Sequence, residues 1–124
     1  PSGRKLFYRD PCIRNSSKGE ILCYYGINQE TKQWSVLDTY GGKLTENIIQ
    51  ATARDLLAWS MLKLNAWYYP IVMHVHDECV AEVPIESSEK SLADMCNIMG
   101  EDVEWAPGLP LRADGYVTPF YKKD

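Results

Sequence analysis

Pro70-Ile71-Val72-Met73-His74-Val75-His76-Asp77-Glu78-Cys79-Val80-Ala81-Glu82-Val83-Pro84 is the stretch on which the reading of this chain turns. Two runs rich in β-branched residues flank Asp77-Glu78, and a proline stands at each outer end. The spacing predicts a β-hairpin over about 71–83 with two carboxylates at its tip. Neither acid belongs to the Asn-Gly or Asp-Gly pairs that tight turns favour. Adjacent carboxylates repel unless a cation or hydrogen-bond donors compensate. Such a local inconsistency points to a site more than to a scaffold element.

Three chemistries fit His76-Asp77-Glu78. The acids can be a solvated turn. His74 and His76, two apart on a strand, can join Asp77 or Glu78 as zinc ligands. Alternatively, Asp77 and Glu78 can hold magnesium, a hard cation usually bound by one or two carboxylates plus substrate phosphates.

Upstream, Thr45 to Asn65 favours a helix, with Thr45 as cap, Glu46 near the positive end and Gly41-Gly42 as a break before it. Leu44, Ile48, Ile49, Leu56, Leu57, Met61 and Leu64 spread over more than one face, which predicts a helix buried on most of its circumference. Lys43, Asn47, Gln50 and Arg54 fall in one sector about 60° wide. That polar stripe is either a solvated face or a row of donors for a polar ligand. Further upstream, Lys5 to Tyr8 reads as a short strand halted by Asp10-Pro11. The segments 20–27 and 32–40 read as a hairpin. Downstream, Ser87 to Met99 is an amphipathic helix with Gly100 at its end. Glu101 to Glu104 reads as solvated, and Leu111 to Val117 as one more strand.

The composition is that of an ordinary globular domain. The 124 residues are 45% hydrophobic and 24% charged, and eight Tyr, four Trp and two Phe supply apolar area enough to exclude disorder as the main state. No apolar run approaches membrane-spanning length, and no signal peptide is visible. Thirteen Lys and Arg face 17 Asp and Glu, for a net charge of −4 and a pI near 5.2. Phosphate neutralisation dominates nucleic-acid affinity, so this balance argues against a self-sufficient nucleic-acid binder. It leaves room for a segment that contributes carboxylates to a site whose basic residues lie elsewhere. Cys12, Cys23, Cys79 and Cys96 form no Cys-x-x-Cys pair, and reduced thiols in a cytoplasmic protein are the expectation. A chain that opens on a strand-like segment and has its first Met at position 61 reads as a piece of something longer.

Val75-His76-Asp77-Glu78, with Val80, Glu82, Val83 and Pro84, resembles the motif C hairpin of family A DNA polymerases, the bacterial polymerase I and phage group. Gly41 to Leu57 resembles the palm helix that precedes that hairpin, in its phage-type form. Pro1 to Leu6 is similar to the strand returning to the palm from the fingers. Trp105 to Leu111 is similar to the approach to the family's C-terminus. The triplet alone is a weak signal; the Glu46-Asn47-x-x-Gln50 helix about 30 residues upstream strengthens it. The chain departs from the polymerase I pattern in two places. Glu46 stands where that pattern has Asn, with Asn47 one later. Gly42 stands where it has Arg, with Lys43 beside it.

The resemblance implies an α+β fold, an antiparallel sheet covered by helices, as one domain over 1–124. Its parts would be an inserted hairpin at about 20–40, the palm helix at about 43–65, the motif C hairpin at about 71–83 and a helix at about 87–99. It implies template-directed nucleotide addition to a primer 3′-hydroxyl, with Mg2+ as cofactor and primer-template DNA and deoxynucleoside triphosphates as partners. Asp77 and Glu78 would bind metal, and His76 would sit beside the primer terminus. Gln50, Arg54, Asn47, Lys43 and Arg4 would contact DNA. The chain contains no counterpart of the motif A strand with its second metal-binding Asp, nor of the fingers or thumb. It is therefore expected to be inactive alone, and to self-associate through an unpaired hairpin edge. A non-catalytic DNA-binding module retaining the palm fold is the alternative, and a zinc hydrolase using His74 and His76 a more distant one.

Overall fold

The computed structural model describes residues 2–17 and 19–122. Among these residues, two helices and two antiparallel sheets make an α+β fold, as the sequence implied. In chain order the elements are β1 (Arg9–Ser16), β2 (Gly19–Ile27), β3 (Trp34–Thr39), α1 (Gly41–Ala66), β4 (Ile71–Val75), β5 (Glu78–Ala81), a 3-10 turn (Ile85–Ser87) and α2 (Ser88–Met99). They divide into two compact units. One is Gly3–Ala51; the other holds Ser2 and the described residues from Thr52 onward, and α1 runs from the first into the second.

In the first unit, β1, β2 and β3 form an antiparallel meander in that order. The predicted strand at Lys5–Tyr8 is displaced: β1 begins at Arg9 and continues through Asp10 and Pro11. Asp10 takes φ +44° and the register slips between Arg9 and Cys12. This is a bulge on an edge strand, where the missing N–H of proline interrupts no inner ladder. The β2–β3 hairpin matches its predicted bounds closely. Its loop is held by Asn28 Oδ1, which accepts the backbone N–H groups of Glu30 and Thr31 at 2.8 and 3.1 Å.

The register sets Cys12 opposite Cys23, with Cα atoms 5.0 Å apart and the sulfurs joined in a disulfide. This corrects the expectation of four reduced thiols. Cys79 and Cys96 are free. On the same face Arg14 pairs with Asp38 at 2.5 Å. Farther along that face, the cross-strand partners Tyr25 and Val36, and Ile27 and Trp34, are all exposed.

In the second unit the core is small and set by α1. Leu57, Ser60 and Leu64 recur at helical spacing and are its buried residues. Ile98 of α2 and Val103 are buried as well. The predicted burial around most of α1 does not hold, for Ile48, Ile49 and Leu62 are exposed. Nor do Gly41-Gly42 break the helix; they begin it. Thr45 is inside, where its hydroxyl donates back to the Gly41 carbonyl at 2.9 Å instead of capping. The C-terminal end is closed by Tyr68 at φ +63°. The Tyr69 N–H bonds to the Leu64 carbonyl and the Tyr68 N–H to the Asn65 carbonyl, a left-handed cap made without glycine.

The α2 helix matches its predicted span, with Gly100 accepting the cap role in a right-handed conformation. Glu101 is drawn out of the acidic run by Lys63, 2.6 Å away, and Val103 turns inward at 2% exposure. The predicted strand Leu111–Val117 does not form. The segment carries β-type residues, but a strand needs a partner, and no described strand pairs with it. Gly115 instead packs against Leu92, where a Cβ would come within 2.9 Å of the leucine Cδ1.

Asp94 of α2 collects two donors: Lys90 Nζ at 2.6 Å and the Tyr69 hydroxyl at 3.1 Å. The ammonium first and the phenol second hold the Asp94 carboxyl below the usual aspartate value. A depressed folded-state pKa contributes stability above the unfolded pKa and loses it as pH falls through the folded one. The contribution therefore disappears below about pH 4. Lys90→Gln is expected to raise the Asp94 midpoint in a carboxyl NMR titration more than Tyr69→Phe does. The reverse order would mean that the phenol dominates.

Candidate functional site

The stretch around residue 77 folds as a hairpin because two short apolar strands meet across a two-residue turn. Val75 pairs with Glu78, His74 with Cys79 and Met73 with Val80, and the register shifts between Ile71 and Met73. The turn is His76-Asp77, one residue earlier than the sequence suggested. His76 takes φ +51°, the left-handed backbone that suits the first position of primed hairpin turns. This corrects the picture of two carboxylates at the tip: Asp77 lies in the turn, while Glu78 opens β5. It also removes the premise of the zinc reading, since His76 has left the pleat that would align it with His74. Among the described residues no three His, Cys, Asp or Glu side chains gather as a metal site.

Two contacts tie this hairpin to α2. Tyr69, just before β4, donates to Asp94, and Cys79 Sγ lies 3.8 Å from Met99 Sδ. Burial pushes the Cys79 thiol above its ordinary pKa, with the neighbouring Cys96 adding to the effect. His76, Asp77 and Glu78 themselves are exposed. Among the described residues neither acid forms an ion pair with a protein cation. Their oxygens are hard donors on a short, well-paired hairpin, and this donor set suits a divalent cation that completes its shell with water or phosphate oxygens. Glu78 has one contact that the sequence did not suggest. The Tyr121 hydroxyl donates to Glu78 Oε2 at 3.4 Å across 43 residues.

The predicted nucleic-acid residues fall into two groups. Arg54 is exposed on the part of α1 that belongs with the hairpin's unit. Arg4, Lys43, Asn47 and Gln50 belong to the other unit. There, Gln50 is exposed, whereas Lys43 Nζ pairs with Glu46 Oε2 at 3.0 Å. Asn47 Nδ2 donates to the Tyr8 hydroxyl at 3.0 Å, and the Tyr8 ring packs edge-on against Tyr24. Arg4 Nη2 donates to the Ala51 carbonyl at 2.8 Å. The Tyr8–Asn47 bond was also unforeseen, for nothing local links residues 39 apart.

A protein from Bacillus phage SP02 described as a DNA polymerase is 50% identical to this chain over 126 residues. The match takes in the whole of this chain but only 19% of the length of that protein. No protein-family model and no solved structure matches. No helix among the described residues is long and apolar enough to cross a membrane.

Proposed function

We propose that this chain is part of a family A DNA-directed DNA polymerase, the C-terminal portion of its palm. On this reading Asp77 and Glu78 hold the catalytic divalent cations. The single observation that carries the reading is the 50% identity, over the whole of this chain, to part of a phage protein described as a DNA polymerase. The exposed acid pair, free of protein cations among the described residues, supports the metal role.

Asp77, in the turn, would be the main protein ligand to the divalent cations. Glu78 assists from the first position of β5, and His76 lies beside the primer terminus. Bound Mg2+ would supply charge neutralisation at the α-phosphate and a more acidic 3′-hydroxyl. Gln50 donates to the N3 and O2 acceptors present in the minor groove at every base pair, a contact that senses pair shape without reading sequence. Arg54 meets the nearby backbone. Asn47, Lys43 and Arg4 each have donors beyond the one used on Tyr8, Glu46 and Ala51, and these are available to DNA. The exposed pairs Tyr25–Val36 and Ile27–Trp34 are consistent with a segment normally covered by more protein. The β4–β5 sheet, two-stranded among the described residues, leaves edges open to a further strand or to self-association.

Primer extension tests the reading. The 124-residue chain alone is expected to incorporate no nucleotide, because it lacks the motif A carboxylate. The polypeptide that includes the upstream coding sequence is expected to extend a primed template with Mg2+. Extension by the short chain overturns the division of the site, and a longer product without activity overturns the polymerase reading.

A further inference from the structure

We propose that Tyr121 is a positioning residue for Glu78, holding one carboxylate oxygen so that the other is presented to a divalent cation. The inference rests on the reading of Asp77 and Glu78 as metal ligands. Its basis is the 3.4 Å approach of the Tyr121 hydroxyl to Glu78 Oε2 and the way the chain around Tyr121 is organised. The Tyr116 hydroxyl donates to the Lys122 carbonyl, closing the segment on itself. Thr118 Oγ1 donates to the Phe120 carbonyl at 2.8 Å, and Lys122 Nζ stands 5.7 Å from the centre of the Tyr116 ring. At the start of the same segment Gly115 packs against Leu92 of α2. A segment packed on α2 at Gly115 and closed on itself between Tyr116 and Lys122 thus delivers one phenol to one carboxylate.

The chemistry follows from lone pairs. A carboxylate has about four acceptor sites on two oxygens, so a single phenol donor leaves room for a cation. Glutamate has three side-chain torsions to order on binding a metal, and a donor already in place removes part of that cost. Partners that orient metal ligands in this way typically change metal affinity by about 10–100-fold when removed. Because Tyr121 and Glu78 are both exposed, the low end is expected. Among the described residues no such hydrogen bond is seen on the Asp77 carboxylate, which distinguishes the two acids.

The test is titration with Mn2+ of the longer polypeptide that includes the upstream coding sequence, followed by the electron paramagnetic resonance signal of the free ion. Wild type, Asp77→Asn, Glu78→Gln, Tyr121→Phe and the Glu78→Gln/Tyr121→Phe double variant are compared, with circular dichroism on each. Tyr121→Phe is expected to weaken Mn2+ about tenfold with an unchanged spectrum. In the Glu78→Gln background the same substitution is expected to change nothing further, an outcome that general loosening of the loop would not produce. Wild-type affinity in Tyr121→Phe overturns the inference; if Asp77→Asn meanwhile abolishes binding, the metal reading stands. An equal loss in both backgrounds also overturns the inference. Absence of Asp77-dependent Mn2+ binding in wild type overturns both.

Discussion

Asp77→Asn in a polymerase that carries this segment is expected to lower primer extension by about three orders of magnitude or more, with duplex affinity little changed. The substitution keeps side-chain size and removes the charge. Asp77 sits in a two-residue turn, is exposed, and forms no ion pair among the described residues. Its loss therefore leaves no orphaned buried partner, and folding should be unaffected. On the proposed reading, what is lost is a ligand to ions that would stabilise both the attacking and the leaving oxygen. Such stabilisation is worth several kcal/mol, and about 4 kcal/mol corresponds to a thousandfold in rate. Gel-resolved single-turnover extension reads the rate, and anisotropy of a labelled primer-template reads binding. A rate within tenfold of wild type would remove Asp77 from the metal site. A parallel loss of duplex affinity would make the residue structural.

The second large effect is on stability. Leu64 is fully buried, at 0% exposure, near the end of α1. Leu64→Ala deletes buried carbons and leaves a cavity, at a cost of about 3–4 kcal/mol. A domain's whole stability is about 5–15 kcal/mol, so urea denaturation followed by circular dichroism should show a large fall in midpoint. The helix cap is expected to survive, because the Leu64 carbonyl, not its side chain, accepts the Trp67 and Tyr69 N–H groups. Leu62 is the control. It is 70% exposed two residues away, and Leu62→Ala should stay within about 0.5 kcal/mol. Equal effects at the two positions would contradict the assignment of the buried face.

How much could be read in advance depended on the range of the interaction. The hairpin at 71–83 and the helix ending at Gly100 were legible because alternation, helical period and flanking Pro or Gly lie within a few residues of what they control. The start of α1 was misread because Gly41-Gly42 looks like a break until the helix is seen to begin there. Leu111–Val117 was misread because β-type residues do not make a strand without a neighbour to pair with. In the site, the acid pair was visible from sequence. That His76 would occupy the turn and Glu78 the strand was not, since a one-residue change of register reassigns both.

By itself, then, the order of residues determined an α+β chain with an acidic hairpin, a long helix before it and an amphipathic helix after it, and it carried the resemblance to family A polymerases. Tertiary structure alone decided that Cys12 meets Cys23, that Asn47 and Arg4 are held by Tyr8 and Ala51, and that Tyr121 reaches Glu78. Backbone conformation is governed mainly by sterics and hydrogen bonds among near neighbours, which a sequence displays directly. Partners far apart along the chain meet only after strands have chosen a register and loops have closed, and no short window of residues contains that choice.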